Sequence, residues 1–138
     1  MTFQAIRLVE IVADEIGTPR NDGTPGSALY SVPIRLSAIP PPEWVQLFVS
    51  TWNHPPRFTT MHRPGIASVG GNRVILNGTT LDEIESYHRE TLLLVVQETN
   101  KKYLELLAQA SKAEAREEER VRRHREEVKK KAQGIRFE

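Results

Sequence analysis

The sequence predicts an α+β protein: a two-layer sandwich of ββαββα order, with an antiparallel sheet of four or five strands, two helices on one face, and a C-terminal helix that is very long and projecting. Three observations carry this reading. Between Leu29 and Ala38, the apolar Tyr30, Val32, Ile34, Leu36 and Ala38 alternate with Ser31, Pro33, Arg35 and Ser37, the period of a strand with one covered face. Gly70-Gly71-Asn72 joins Ile66–Val69 to Arg73–Leu76, a hairpin signal flanked by β-branched residues. Helix formers then run without a break from Leu81 to Gln133. At about 1.5 Å per residue that is a rod of roughly 80 Å, against a radius of gyration near 13 Å for a body of about 100 residues.

In chain order, Phe3 to Ile16 opens with apolar residues on both parities, Ile6, Leu8 and Val12 on one and Val9, Ile11 and Ala13 on the other. A buried strand fits that pattern. The run from Gly17 to Gly26 holds glycines, prolines, Asn21 and Asp22, which makes it a loop. Pro33 has no N–H to donate, so its strand lies at an edge or pairs on its other side. Pro40-Pro41-Pro42 stops that strand and offers a proline to a helix first turn. Trp44, Val45, Phe48, Val49 and Trp52 recur at three and four, a short helix with an aromatic face, which His54-Pro55-Pro56 ends. Phe58–Met61 is a candidate fifth strand.

Thr80-Leu81-Asp82-Glu83 matches the capping box that starts a helix. Leu92 to Val96 is apolar on every side, as expected where a helix crosses a sheet. Beyond Ser111 the apolar stripe fades, and only Val121 and Val128 interrupt fifteen charged residues between Lys112 and Lys131. Sustained heptads are absent there. Glu118 with Arg122, Glu119 with Arg123, Glu126 with Lys130 and Glu127 with Lys131 are acid-before-base pairs at i, i+4 that support a solvated helix. Gly134 ends it. The chain thus divides into an α+β body, residues 1–110, and a charged helical extension, residues 111–138, with a short apolar tip from Ile135 to Glu138.

Composition bounds the chemistry. The chain has 138 residues, 38% hydrophobic and 27% charged, with no cysteine, so disulfides, thiolate zinc sites and cysteine nucleophiles are excluded. No run is apolar enough to span a membrane, and the first residues lack a secretory pattern, so the expected location is cytoplasmic. Residues 1–110 carry nine basic and eleven acidic side chains, while residues 111–138 carry ten and seven. A slightly acidic body argues against one that coats nucleic acid.

Polar groups crowd between Trp52 and Gly65. There His54, Arg57, His62 and Arg63 form a candidate ligand site, the arginines for an anion and the histidines as ligands or acid/base partners. The same side chains also serve as caps and turn contacts in a connector pinned by Phe58 and Met61. A metal would need a third ligand, Glu85 or His88, which stand at i, i+3 and so share a helical face; no cofactor is called for. Gly70-Gly71 lacks the residues of a phosphate loop, and no nucleophile elbow exists. Trp44 and Trp52 share a helical face, suited to core packing or to an aromatic binding wall.

The expected function is therefore interaction: self-association, or docking into a larger complex with a protein partner, through the long helix. Tyr103, Leu104, Leu107, Ile135 and Phe137 are the candidate contacts. The alternative is a small-anion or nucleic-acid binding module at the His54–Arg63 loop. A third is a hydrolase built on His54, His62 and Glu85 or His88. No catalytic residue is assigned.

Overall fold

The computed structural model describes residues 3–137. Strands β1 (Leu8–Ile11), β2 (Tyr30–Leu36), β3 (Ala67–Gly70) and β4 (Arg73–Thr79) form one antiparallel sheet in the order β1-β2-β4-β3. Helix α1 spans Pro42–Asn53. The second helix, α2, starts with an α-helical turn Leu81–Glu83, widens into a π-helical segment Ile84–His88 and continues as an α-helix over Arg89–Gln133. The architecture is the expected mixed α+β one, with a four-stranded sheet and a long C-terminal helix. The chain divides into two compact units, Met1–Tyr103 and Leu104–Glu138.

The first unit has one core. Val32, Ile34 and Leu36 of β2 and Val74 and Leu76 of β4 face Trp44, Phe48 and Trp52 of α1 and Leu92, Val95 and Val96 of α2. The alternation in β2 thus does what period two requires: every second side chain enters the core. Both indole N–H groups are satisfied inside it. Trp44 Nε1 donates to Asn100 Oδ1 at 2.9 Å, and Trp52 Nε1 donates to the Arg63 carbonyl at 2.9 Å. Asn100 also clasps the Ile6 backbone, accepting from its N–H at 3.1 Å and donating to its carbonyl at 2.9 Å. The tryptophans are core residues, not an aromatic wall for a ligand.

Pro33 sits in an interior strand, between β1 and β4. Its carbonyl accepts from Val12 N at 3.0 Å, and the N–H and C=O of a strand residue point to the same side. The absent donor therefore faces β1 just beyond that strand's last residue, and the pairing to β4 is untouched. The hairpin forms as expected, with Gly71 at φ +56°, at the glycine position that opens a two-residue turn of the II′ kind.

Three expectations need correction. The first segment is not a buried strand from Phe3 to Ile16: only Leu8–Ile11 pairs, and Val9 and Ile11 are 45% and 38% exposed. A bulge between Leu8 and Glu10 inserts Val9 and breaks the parity, and β1 is an edge strand. Phe58–Met61 is a loop and turn, and among the described residues the sheet has four strands with β3 at its edge. In the second unit the ion pairs among the described residues are Glu117–Arg120 and Glu119–Arg122 at i, i+3 and Glu119–Arg123 and Arg122–Glu126 at i, i+4; of the expected set Glu119–Arg123 forms, while Arg122 takes Glu119 and Glu126 in place of Glu118. The arginine fork reaches a carboxylate one turn back with both nitrogens, which a lysine cannot do.

Residues 111–137 are almost all exposed, so removing them costs little buried area. A chain ending at Ala110 is expected to melt cooperatively within about 3 °C of the full chain. A circular-dichroism melt checks this, and a fall of more than about 10 °C would show that the first unit depends on the second.

Candidate functional site

The fold brings the side chains of Tyr30, Arg63, Thr79, Thr80 and Glu83 to one place at the start of α2. Thr80 caps the helix, its hydroxyl accepting from Glu83 N at 3.1 Å, and Tyr30 Oη accepts from Leu81 N at 2.9 Å. Two of the first orphan N–H groups are thereby satisfied. The other arm of the capping box does not form. The Glu83 carboxylate turns away from the Thr80 backbone to take both nitrogens of Arg63, at 3.1 and 2.7 Å, and the Thr79 hydroxyl at 3.0 Å. A bidentate, part-buried guanidinium outbids a backbone N–H that water can serve.

Beside this pair lie two imidazoles. His88 is fully buried, its Nε2 is 3.8 Å from Glu83 Oε1, and its ring meets the edge of Trp52 at 5.6 Å. His62 packs against Trp52 at 4.7 Å and against Phe58 at 5.2 Å. All four ring nitrogens, and the Thr59 hydroxyl, are sealed from solvent without a hydrogen-bond partner. Glu83 and His88 are five apart in sequence. A helix closed by i→i+5 hydrogen bonds brings such residues onto one face, and the Arg89 N–H does bond the Ile84 carbonyl. That π turn also corrects the expected pairing of Glu85 with His88: Glu85 is exposed while His88 is buried.

The electrostatics follow from burial and from one ion pair. Arg63 holds the Glu83 carboxyl below the usual carboxylate range, and Glu83 in turn raises Arg63. Burial pushes His62 below the ordinary histidine range. Burial lowers His88 too, opposed by Glu83 and reinforced by His62 and Arg63. Burial thus favours the neutral form of both imidazoles, and their ring nitrogens are shielded from solvent. Among the described residues no group of three or more His, Asp or Glu is placed to hold a metal ion.

The proposed ligand residues therefore separate. His62 and Arg63 belong to this closed cluster. His54 is exposed at the C-terminal end of α1, its N–H bonding the Ser50 and Thr51 carbonyls. Arg57 is exposed and pairs with Glu90 at 3.3 Å, a contact worth well under about 1 kcal/mol. Replacing Arg63 by Met should remove about 2 kcal/mol, the loss of charged hydrogen bonds to Glu83. Urea unfolding checks it, and an unchanged midpoint would mean the pair is not formed in solution.

The partner residues separate as well. Tyr103 is 8% exposed and its ring lies 4.7 Å from that of Phe3, so it closes the core and is not an outer contact. In the second unit Leu104, Leu107 and Val128 are exposed on the helix, followed by Ile135 and Phe137 past its end. Glu138, the last residue of the apolar tip, lies outside the described residues. Leu107, Val121 and Val128 stand at multiples of seven with Glu114 in the remaining place. This single-position repeat is a signal that a search for full heptads passes over. The concavities along this unit are open grooves between side chains such as Arg116, Glu119 and Arg123 of one helix, with no built ligand site. Among the described residues no helix is long and apolar enough to cross a membrane.

No known protein family, curated protein or solved structure matches this chain.

Proposed function

We propose that this is an assembly protein that self-associates through the surface of its long C-terminal helix and the tip that follows it. The observation that carries the reading is the second unit itself. Leu104, Leu107, Val128, Ile135 and Phe137 are 51%, 40%, 50%, 55% and 98% exposed, on a unit in which Glu117, Glu119, Arg120, Arg122, Arg123 and Glu126 are paired along the same helix. A side chain as large as phenylalanine gains about 1.5–3 kcal/mol when it leaves water. Acids interspersed among the bases hold the excess of basic over acidic side chains in residues 111–138 to ten against seven, which limits the repulsion between two copies. The anion and nucleic-acid alternatives have less support, because Arg63 is occupied by Glu83 and His62 is sealed. A cytoplasmic location belongs to the same reading, in keeping with a chain without cysteine.

Light scattering on the full chain and on a chain ending at Ala110 tests it. The full chain is expected at a multiple of 15.7 kDa and the shorter one as a monomer. Equal oligomeric states for the two would overturn the role given to the helix.

A further inference from the structure

The free edge of β1 borders a groove of about 320 Å³ whose walls include Val9 and Ile11 from the strand and Leu92 and Leu93 from α2, with Glu10 and Arg89 also lining it. That is the low end of the range for ligand pockets, room for one or two large side chains. Val9, Ile11 and Leu93 are 45%, 38% and 50% exposed. β1 pairs only with β2, so its outer backbone groups are open to a further strand. The strand is four residues long and bulged at Val9, which limits what it accepts to a short segment.

The chain carries such a segment. Past Gly134, residues Ile135, Arg136 and Phe137 are neither helix nor strand, and Phe137 is 98% exposed. Extended, the three put Ile135 and Phe137 on one face and Arg136 on the other. The β1 edge presents the matching pattern. Ile11 is in register with the buried Ile34, on the face that carries the helices, and Glu10 is in register with Arg35 on the opposite face. Glu10 and Arg35 are bonded there at 2.8 Å, with the Glu10 side chain 62% exposed.

We propose that the tip Ile135–Phe137 of one copy adds as a short strand to the free edge of β1 in a second copy, with Ile135 and Phe137 in the groove beside Ile11 and Leu93 and with Arg136 beside Glu10. Arg136 then extends the Glu10–Arg35 pair across a third strand, an opposite-charge neighbour of the stabilising kind. The contact joins two different surfaces, so it is head-to-tail and builds rings or open chains. This rests on the self-association reading and names the surface that receives the tip.

The test uses a fluorescent peptide of residues 132–138 and a full-length chain carrying Ile135→Asp and Phe137→Asp, whose groove is intact and whose own tip is disabled. Saturable binding is expected by anisotropy, weakened at least about tenfold, or about 1.4 kcal/mol, when Leu93→Arg is added. Leu93 is half exposed, so the change should leave the fold intact, and a circular-dichroism melt verifies that. Binding unaffected by Leu93→Arg, or no binding at all, overturns the proposal. In that case a wild-type chain that still assembles keeps the self-association reading, and a monomeric one removes it too.

Discussion

Replacing Val95 by aspartate is expected to abolish the cooperative unfolding transition of the first unit. Val95 is wholly buried in α2 among the side chains that cross the sheet. The change forfeits about 1.5–3 kcal/mol of apolar burial and leaves a carboxylate in a dry site with no partner, which costs about 3–5 kcal/mol more. The sum rivals the whole stability of an ordinary domain, about 5–15 kcal/mol. Val95→Ala, which only opens a cavity, should lose about 2 kcal/mol and stay folded. Urea unfolding followed by circular dichroism distinguishes the two. An aspartate variant with a native-like midpoint would mean that this face of α2 does not lie on the sheet.

Acidification from pH 7.5 to 5.5 is expected to weaken the first unit through His62 and His88. Both have folded-state pKa values lowered by burial, so below the ordinary value of about 6.5 the unfolded chain binds more protons than the folded one. The stability tied to their neutral forms is complete above about pH 6.5 and drains away as pH falls toward the lower folded values. Each contributes a slope approaching about 1.4 kcal/mol per pH unit. The groups that face His88 are Glu83, His62 and Arg63. Glu83 is itself lowered, chiefly by Arg63, so its contribution is present above about pH 4.5 and is lost only in stronger acid. The two windows are distinct. Replacing His88 by leucine removes an unpartnered buried polar group, and should raise stability at pH 5.5 and cut the slope by about half. Urea midpoints at pH 7.5, 6.5 and 5.5 decide the matter: a slope unchanged by His88→Leu would rule out that residue as its source.

What could be read from the sequence was local. The alternation of Val32, Ile34 and Leu36, the glycine pair at the hairpin and the aromatic spacing of Trp44, Phe48 and Trp52 each report a period fixed by neighbours in the chain. The helix start at Thr80 was legible for the same reason. What was not legible was tertiary. Nothing near Glu83 announces that its carboxylate prefers Arg63, twenty residues earlier, to the backbone of its own cap. A π turn depends on the packing that rewards it, so the switch of His88's neighbour from Glu85 to Glu83 has no sequence signal. Val9 and Ile11 look like core residues on composition, and a bulge in an edge strand leaves them outside. Of the candidate site, His62 and Arg63 lie in one cluster with Trp52, Glu83 and His88, partners distant in sequence that only the fold assembles around them. Tyr103 and Leu104 are adjacent in sequence and differ in burial because successive residues of a helix point about 100° apart.

Self-association of the unaltered protein is read by sedimentation equilibrium. The expected average mass lies above the 15.7 kDa of one chain and rises with concentration across the micromolar range, up to about 0.2 mM. A mass that stays at that of one chain throughout would show that the protein does not assemble with copies of itself.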